Sequence, residues 1–163
     1  MKILIVDDEH IIRSGIRAII QCSGENWSVS GEAQDGIDAV EQLERDLPDL
    51  VITDIRMPEM DGIELTKYIK TNFKEVLVII ISGYAEFNFA QEAIRYGALD
   101  YILKPTKPEN LISVLQNAQK MIDERDLTKA EEKKLNHEIA ELKSKLNAKS
   151  TNFGADRHDS REK

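Results

Sequence analysis

Five short apolar runs occur along the chain and predict five β-strands. Runs of consecutive Val, Ile and Leu are typical of strands covered on both faces of a parallel sheet. The predicted strands are Ile3–Val6, Trp27–Ala33, Leu50–Thr53, Val76–Ile81 and Tyr101–Leu103.

Between these runs, apolar residues recur at spacings of three and four, which predicts amphipathic helices. The four stripes are Ile11, Ile12, Ile16, Ile19 and Ile20; Ile37, Val40, Leu43 and Leu47; Ile63, Leu65, Tyr68 and Ile69; and Phe89, Ala90, Ala93, Ile94 and Ala98. Pro108, a residue favoured in the first turn of a helix, marks the start of a fifth. Strands and helices thus alternate five times, which predicts a doubly wound α/β fold over residues 1–121.

A different pattern follows, in which Glu, Lys and Leu dominate. Spacings of three and four continue along one helical seam: Leu111, Val114, Ala118, Met121, Arg125, Thr128, Glu132, Leu135, Ile139, Leu142 and Leu146. The pattern favours a coiled-coil linker over 122–149 that continues the fifth helix and pairs with a second copy, with Leu135, Ile139, Leu142 and Leu146 as its apolar seam. An exposed single helix is the alternative. Residues 150–163 are polar and charged, which predicts a disordered tail.

Charge and composition narrow the classes of function. A net charge of −8 argues against a basic nucleic-acid surface on this chain. Cys22 is the single cysteine, so an internal disulfide is impossible, which fits a reducing compartment. The longest apolar run, Val76–Ile81, is too short to span a bilayer, and the N-terminus lacks a signal-peptide pattern. We therefore expect a soluble, cytoplasmic protein.

Polar side chains follow four of the five predicted strands. Asp7 and Asp8 follow the first, Asp54 the third, Ser82 the fourth and Lys104 the fifth. Each has an ordinary explanation alone, such as a helix cap, a turn or a solvated loop. Because the carboxyl ends of parallel strands share one edge, where ligands bind, their joint occurrence predicts a functional site.

The chemistry of that site follows from the residue types. With strand order 2-1-3-4-5, Asp7, Asp8 and Asp54 crowd one pocket, so one takes a proton or a cation lies between them. Mg²⁺ prefers such oxygen ligands and shares phosphate oxygens readily. Together with the ammonium group of Lys104 and the hydroxyl of Ser82, it would stabilise a phosphoryl group. Asp54 is the candidate nucleophile, forming an aspartyl phosphate.

With these residues the sequence resembles the receiver domains of two-component response regulators, from Lys2 to about Met121. The motifs "IVDDE", "DLVITDIRMPEMDG", "IIISGYAE" and "GALDYILKP" occur in the family's order. The resemblance implies a flavodoxin-like, doubly wound parallel five-stranded sheet of order 2-1-3-4-5 with a C-terminal helical extension. It also implies that a sensor histidine kinase donates phosphate to Asp54.

The resemblance further assigns the site residues. It implies Mg²⁺ (or Mn²⁺) held by Asp8, Asp54 and the backbone carbonyl of Arg56, with Asp7 acting mainly through water. Ser82 and Lys104 would bind the phosphoryl oxygens, and the Lys104–Pro105 peptide would be cis.

A switch pair and a dimer face also follow from the resemblance. Ser82 and Tyr101 would form the switch pair, although an inward-facing Tyr101 could equally be a core aromatic. Arg56 and Tyr84 occupy positions that tune phosphate loss in this family. The face of the fourth helix, fifth strand and fifth helix would be remodelled, and a homodimer would form through it and the coiled coil.

The part of the chain from Ser82 to Pro105 also resembles receivers attached to AraC-type DNA-binding domains. No helix-turn-helix pattern follows the long helix, so contact with DNA would require a domain absent from this chain. Either the chain is a fragment of a transcription factor, or it acts without its own output domain.

Competing functions predict other patterns. A haloacid-dehalogenase-like phosphatase needs a second Asp two positions after the first, but Asp7-Asp8-Glu9 offers Glu9 there. A flavin protein of this fold needs a phosphate-binding first loop, which three acids would repel. The expectation is therefore a response regulator that controls an output, transcription, and that catalyses only its own phosphorylation and dephosphorylation. A dimeric scaffold whose receiver acts without phosphorylation is the alternative.

Overall fold

Strands and helices alternate through the part of the chain that the computed structural model describes, residues 1–83, 85 and 87–155, with the side chains of 153–155 left aside. The strands are β1 (Lys2–Val6), β2 (Ser28–Ala33), β3 (Leu50–Thr53), β4 (Leu77–Ser82) and β5 (Asp100–Leu103). The helices are α1 (His10–Cys22), α2 (Gly36–Arg45), α3 (Gly62–Asn72), α4 (Phe87–Arg95) and α5 (Pro108–Ala155).

The five strands form one parallel sheet in the order β2-β1-β3-β4-β5. The predicted fold class and strand order are confirmed. Chain order reverses direction between β1 and β3, which leaves a crevice beyond their carboxyl ends. Val6 pairs with Thr53, so the residues that follow, Asp7 and Asp54, are level with each other.

Alternate residues of the central strands point to opposite faces of the sheet and enter two separate cores. On one face, Leu4, Val51 and Ile80 pack with α2, α3 and α4. On the other, Ile5 and Ile52 pack with α1 and with the start of α5. All four residues of β3 are buried, because both faces of this strand are covered. This double coverage accounts for its continuous apolar sequence.

The chain divides into two compact units, the first being Met1–Met121 and the second beginning at Ile122. Leu111 and Ala118, which the seam pattern included, are fully buried in the core of the first unit. They cannot also face a second helix, so the seam does not begin at Leu111. We call residues 122–155 of α5 the extension.

The helix also ends later than the pattern predicted. Residues 150–155, expected to be disordered, form the last part of α5, while 156–163 lie outside the described residues. Among the described helices, none combines the length and the apolar composition needed to cross a bilayer.

Candidate functional site

Three carboxylates lie close together beyond the carboxyl ends of β1 and β3. One carboxylate oxygen each from Asp7, Asp8 and Asp54 lies within 4.8 Å of the others. Backbone hydrogen bonds hold the carboxyl ends of β1 and β3 in place. Asp54 N donates to Val6 O at 3.0 Å, and Asp7 N donates to Ala33 O at 3.1 Å. The juxtaposition therefore follows from strand order and register.

Asp54 is buried, with 7% of its surface exposed, and both of its carboxylate oxygens accept hydrogen bonds. Oδ1 accepts from Ile55 N at 2.7 Å, and Oδ2 accepts from Lys104 Nζ at 3.1 Å. Burial raises the pKa of Asp54 above its ordinary value, and the opposing charge of Lys104 offsets only part of this effect. The carboxylate is thus poorly solvated.

Lys104 bridges two of the acids. Its Nζ donates to Asp7 Oδ2 at 2.8 Å and to Asp54 Oδ2 at 3.1 Å. Burial alone would lower the pKa of Lys104, but the bond to Asp7 and the charges of both carboxylates raise it overall. The ammonium group therefore stays charged across the physiological range. The peptide bond from Lys104 to Pro105 is cis, as the resemblance implied.

The two acids after β1 differ in their surroundings. Asp7 is 2% exposed, and its Oδ1 accepts from Glu9 N at 2.9 Å while Oδ2 accepts from Lys104. Asp8 is exposed. Asp8 and Asp54 line a cleft of about 480 Å³, and its other lining residues are Glu9, Arg56, Gly83 and Lys104. The cleft is therefore acidic, with carboxylates outnumbering cationic groups.

These oxygens suit a hard divalent cation. Asp8 is exposed to the cleft and Asp54 adjoins it, and oxygen donors are the ligands that Mg²⁺ prefers. The ammonium group of Lys104 offsets only part of the negative charge of the three carboxylates, and a cation would neutralise the remainder. The residues present fit Mg²⁺.

The predicted switch and turnover-tuning residues have different environments. Ser82 is completely buried at the end of β4, and its carbonyl oxygen accepts from Lys104 N at 2.8 Å. Tyr101 is half-buried and packs against the core that β4 shares with α4. Arg56 is exposed, and its guanidinium carbon lies 5.7 Å from the centroid of the Phe89 ring on α4. Tyr84 lies outside the described residues.

Sequence reasoning missed one residue beside the acids. Arg13 Nη1 of α1 donates to the carbonyl oxygen of Asp7 at 2.7 Å. Glu32 of β2 lies near this arginine, with Oε1 3.7 Å from Arg13 Nε, and its Oε2 accepts from Arg17 at 2.9 Å. The only signal was an arginine in the first turn of a helix that follows two acids, which is too common to single out.

The loop after Asp54 requires a glycine. A Cβ atom on Gly62 would lie 1.9 Å from the carbonyl oxygen of Asp54, far inside contact distance. Gly62 N donates to Ile55 O at 2.7 Å, and Asp61 with Glu64 forms a capping box at the start of α3. Absence of a side chain lets α3 begin directly against the backbone of the candidate nucleophile.

Comparison with known families agrees with this geometry. Residues 3–116 match the model of the response regulator receiver domain. The match covers well over half of the chain, which therefore belongs to the response regulator receiver family.

Relatives and solved structures share the same domain. The chain is 38% identical over 143 residues to an uncharacterized transcriptional regulatory protein, YesN, of Bacillus subtilis (strain 168), covering 88% of this chain and 39% of YesN. It is similar to the REC domain of the response regulator AraT from Geobacillus stearothermophilus (TM-score 0.71, 42% identity, 77% of this chain and 97% of that one). It is also similar to a chain in the CheX-CheY-BeF3-Mg²⁺ complex from Borrelia burgdorferi (TM-score 0.68, 28% identity, 72% and 87%). The chain thus spans less than half the length of YesN.

Proposed function

We propose that this receiver accepts a phosphoryl group on Asp54 from a sensor histidine kinase and that phosphorylation switches its conformation and association. The observation that carries the proposal is Asp54 itself, a buried carboxylate at the end of a central strand. It is bonded to Lys104 and adjoins an acidic cleft.

The transfer step uses groups already in place. A carboxylate oxygen of Asp54 attacks the phosphorus of a phosphohistidine, forming a P–O bond as the P–N bond breaks and the imidazole leaves with its electron pair. Lys104 then stabilises charge on the phosphoryl oxygens, together with the hydroxyl of Ser82 once that buried side chain turns toward them. The same groups would serve hydrolysis by water.

Mg²⁺ (or Mn²⁺) would be held by Asp8, Asp54 and the backbone carbonyl of Arg56, with Asp7 acting mainly through water. When bound, the ion neutralises charge between the carboxylates and the incoming phosphoryl group. Asp7 is already occupied by Lys104 and Glu9 N, while Asp8 is exposed, which supports this division of roles.

Switching would pass from Ser82 to Tyr101. Ser82 moves toward the phosphoryl group and Tyr101 rotates inward, shifting a pre-existing equilibrium of the α4–β5–α5 face. We infer that the homodimer forms through this face and through the extension. Arg56, and Tyr84 beyond the described residues, would tune phosphate loss. Arg56 lines the cleft and also lies over the Phe89 ring, which supports a link between the cleft and α4.

The output is transcription in the wider protein. The relative YesN carries the name of a transcriptional regulatory protein. DNA would be contacted only through a domain outside this sequence, and the acidic net charge of the chain agrees with that separation.

Phosphorylation by acetyl phosphate tests the proposal. Intact mass is measured with and without Mg²⁺ for the wild type and Asp54→Asn, with light scattering on the same samples. A single Mg²⁺-dependent phosphoryl adduct that is absent from Asp54→Asn is expected, together with a change in association. Lys104→Ala should still take up label but lose the change in association; unchanged switching in that variant would refute its role.

The alternative, a scaffold that works without phosphorylation, predicts no adduct with acetyl phosphate or with purified kinase. The intact set of acceptor, acids and lysine favours the phosphorylated switch.

A further inference from the structure

The extension carries an exposed row of apolar side chains. Leu135, Ile139, Leu142 and Leu146 are 56%, 41%, 59% and 66% exposed and recur at spacings of four, three and four. We propose that these residues pack against a second copy of the chain as a parallel, in-register, two-stranded coiled coil. This inference rests on the proposed dimeric function and adds the orientation, the register and the weak point of the contact.

The apolar residue types favour this form. The spacing places Ile139 and Leu146 at the a positions of the heptad and Leu135 and Leu142 at the d positions. A β-branched residue at a with leucine at d favours parallel two-stranded coils over larger assemblies.

Charge complementarity argues for the same orientation. Glu138 is at position g and Lys143 at the following e position. In a parallel dimer, position g of one helix faces the next position e of its partner. Glu138 of each helix therefore faces Lys143 of the other, which gives two attractive pairs. Glu124 and Lys129 repeat the arrangement two heptads earlier. Both pairs are five residues apart in sequence, which is not a favoured spacing for an ion pair within one helix.

The antiparallel arrangement places like charges together. Aligning Ile139 of one helix with Leu135 of an antiparallel partner sets Glu138 beside the other Glu138. The same alignment brings Lys143 beside Lys129 of the partner. Like charges at these flanking positions select against this orientation.

Polar residues interrupt the seam and weaken it. Arg125 and Glu132 occupy a positions and Thr128 a d position, and Glu131 at g adjoins Glu132. In the parallel dimer, the Glu132 side chains meet each other and are flanked by Glu131, so this layer is repulsive. A polar a position fixes register at a cost in stability. The extension therefore pairs weakly, and a modest change elsewhere in the protein can shift its association.

Cysteine cross-linking of the full chain tests orientation and register. In a Cys22→Ser background, Thr128→Cys and Lys149→Cys place thiols at two d positions without removing an apolar seam residue. Ala130→Cys and Ser144→Cys are matched controls at f positions, on the opposite side of the helix. Each variant is equilibrated in glutathione redox buffer, with and without acetyl phosphate and Mg²⁺.

Covalent dimer is expected with both d-position variants and only at background level with both controls. Failure of Thr128→Cys to self-link, combined with linking in a mixture of Thr128→Cys and Leu146→Cys chains, would show the antiparallel form. Equal linking at d and f positions, or none above background, would refute the paired extension. The antiparallel pattern, equal linking at d and f positions, and the absence of linking would each overturn the proposal.

Charge reversal provides an independent test. Glu138→Lys and Lys143→Glu are each expected to raise the dimer dissociation constant roughly three- to tenfold. The double reversal should restore it, because attraction is regained in the parallel pair. Glu132→Leu should lower the constant by about tenfold or more, since it replaces repulsion with apolar contact. Unchanged association in these variants would contradict the assigned register.

Phosphoryl labelling of the same samples separates the two proposals. Normal adduct formation on Asp54 with no specific cross-link refutes the coiled coil and leaves the receiver chemistry intact. Specific cross-linking without any adduct supports the coiled coil and counts against the phosphorylated switch.

Discussion

The ammonium group of Lys104, which follows β5, lies 3.1 Å from Oδ2 of Asp54, which follows β3. The two residues are 50 positions apart in sequence, and β4 lies between their strands. Their contact joins the candidate nucleophile to the loop that leads into α5. A change at Asp54 can therefore act directly on the loop between β5 and α5.

The protonation of Asp54 should respond in opposite directions to its two charged neighbours. Lys104→Met removes a positive charge that lowers the pKa of Asp54, so that pKa should rise further. Asp7→Asn removes a negative charge that raises it, so the pKa should fall. Carboxyl ¹³C chemical shifts, followed by NMR against pH without divalent ions, measure both changes. Shifts in the same direction would contradict this account of the site.

Asp54→Asn should stabilise the unphosphorylated protein at neutral pH. Burial raises the pKa of Asp54 above 3.8, so folding binds a proton between that value and the raised pKa. The wild type is therefore relatively more stable in acid and loses this contribution as pH rises through the folded pKa. Urea unfolding should show an advantage for Asp54→Asn at neutral pH that shrinks on acidification. An advantage that grows in acid would reverse the sign and refute the argument.

The close approach of α3 to Asp54 makes Gly62 sensitive to substitution. Gly62→Ala should lower the free energy of unfolding by about 1–3 kcal/mol or more, because backbone must move to admit the Cβ. Gly15→Ala is the matched control on α1, where a Cβ would meet nothing within 4 Å. It should raise stability by about 0.5–1 kcal/mol through helix propensity. Denaturant unfolding measures both; equal effects would show that the contact is unimportant.

Affinity for Mg²⁺ should depend on Asp8 more than on Glu9. Both acids line the cleft, but only Asp8 belongs to the group of three close carboxylates. Asp8→Asn should weaken binding at least roughly tenfold, as loss of even an outer-shell group can. Glu9→Gln should change it far less. Isothermal titration calorimetry provides the comparison, and similar losses in both variants would argue for a general charge effect.

Arg13 should position the acid pair without contacting a bound cation. Arg13→Met removes the bond to the Asp7 carbonyl and should weaken Mg²⁺ binding about tenfold. Arg17→Met is the control, because Arg17 also pairs with Glu32, whereas the contact to the Asp7 carbonyl comes from Arg13. Calorimetry on both variants, with circular dichroism to verify folding, tests the difference. A larger loss in the Arg17 variant would show that charge near β2 matters more than the Asp7 contact.

Local patterns along the chain were enough to predict a parallel sheet of five strands, whereas the order of those strands came from the family resemblance. Continuous apolar runs such as Leu50–Thr53 identify strands buried on both faces, and parallel geometry then brings their carboxyl ends to one edge. Given that order, β1 and β3 are adjacent, and Asp7 and Asp54 are expected to be neighbours. Individual roles for Ser82, Tyr101 and Arg56 rested on family resemblance and stay proposals.

The sequence by itself therefore determined the alternation of strands and helices and the polar residues at the strand ends, because both can be read within each element. Only the tertiary structure decided which contacts cross between elements. It placed Arg13 against the Asp7 carbonyl and Gly62 against that of Asp54, and it buried Leu111 and Ala118 in the domain core. Spacings of three and four along a helix show that one face is covered, but they do not identify what covers it. That choice depends on which surfaces the rest of the fold brings close.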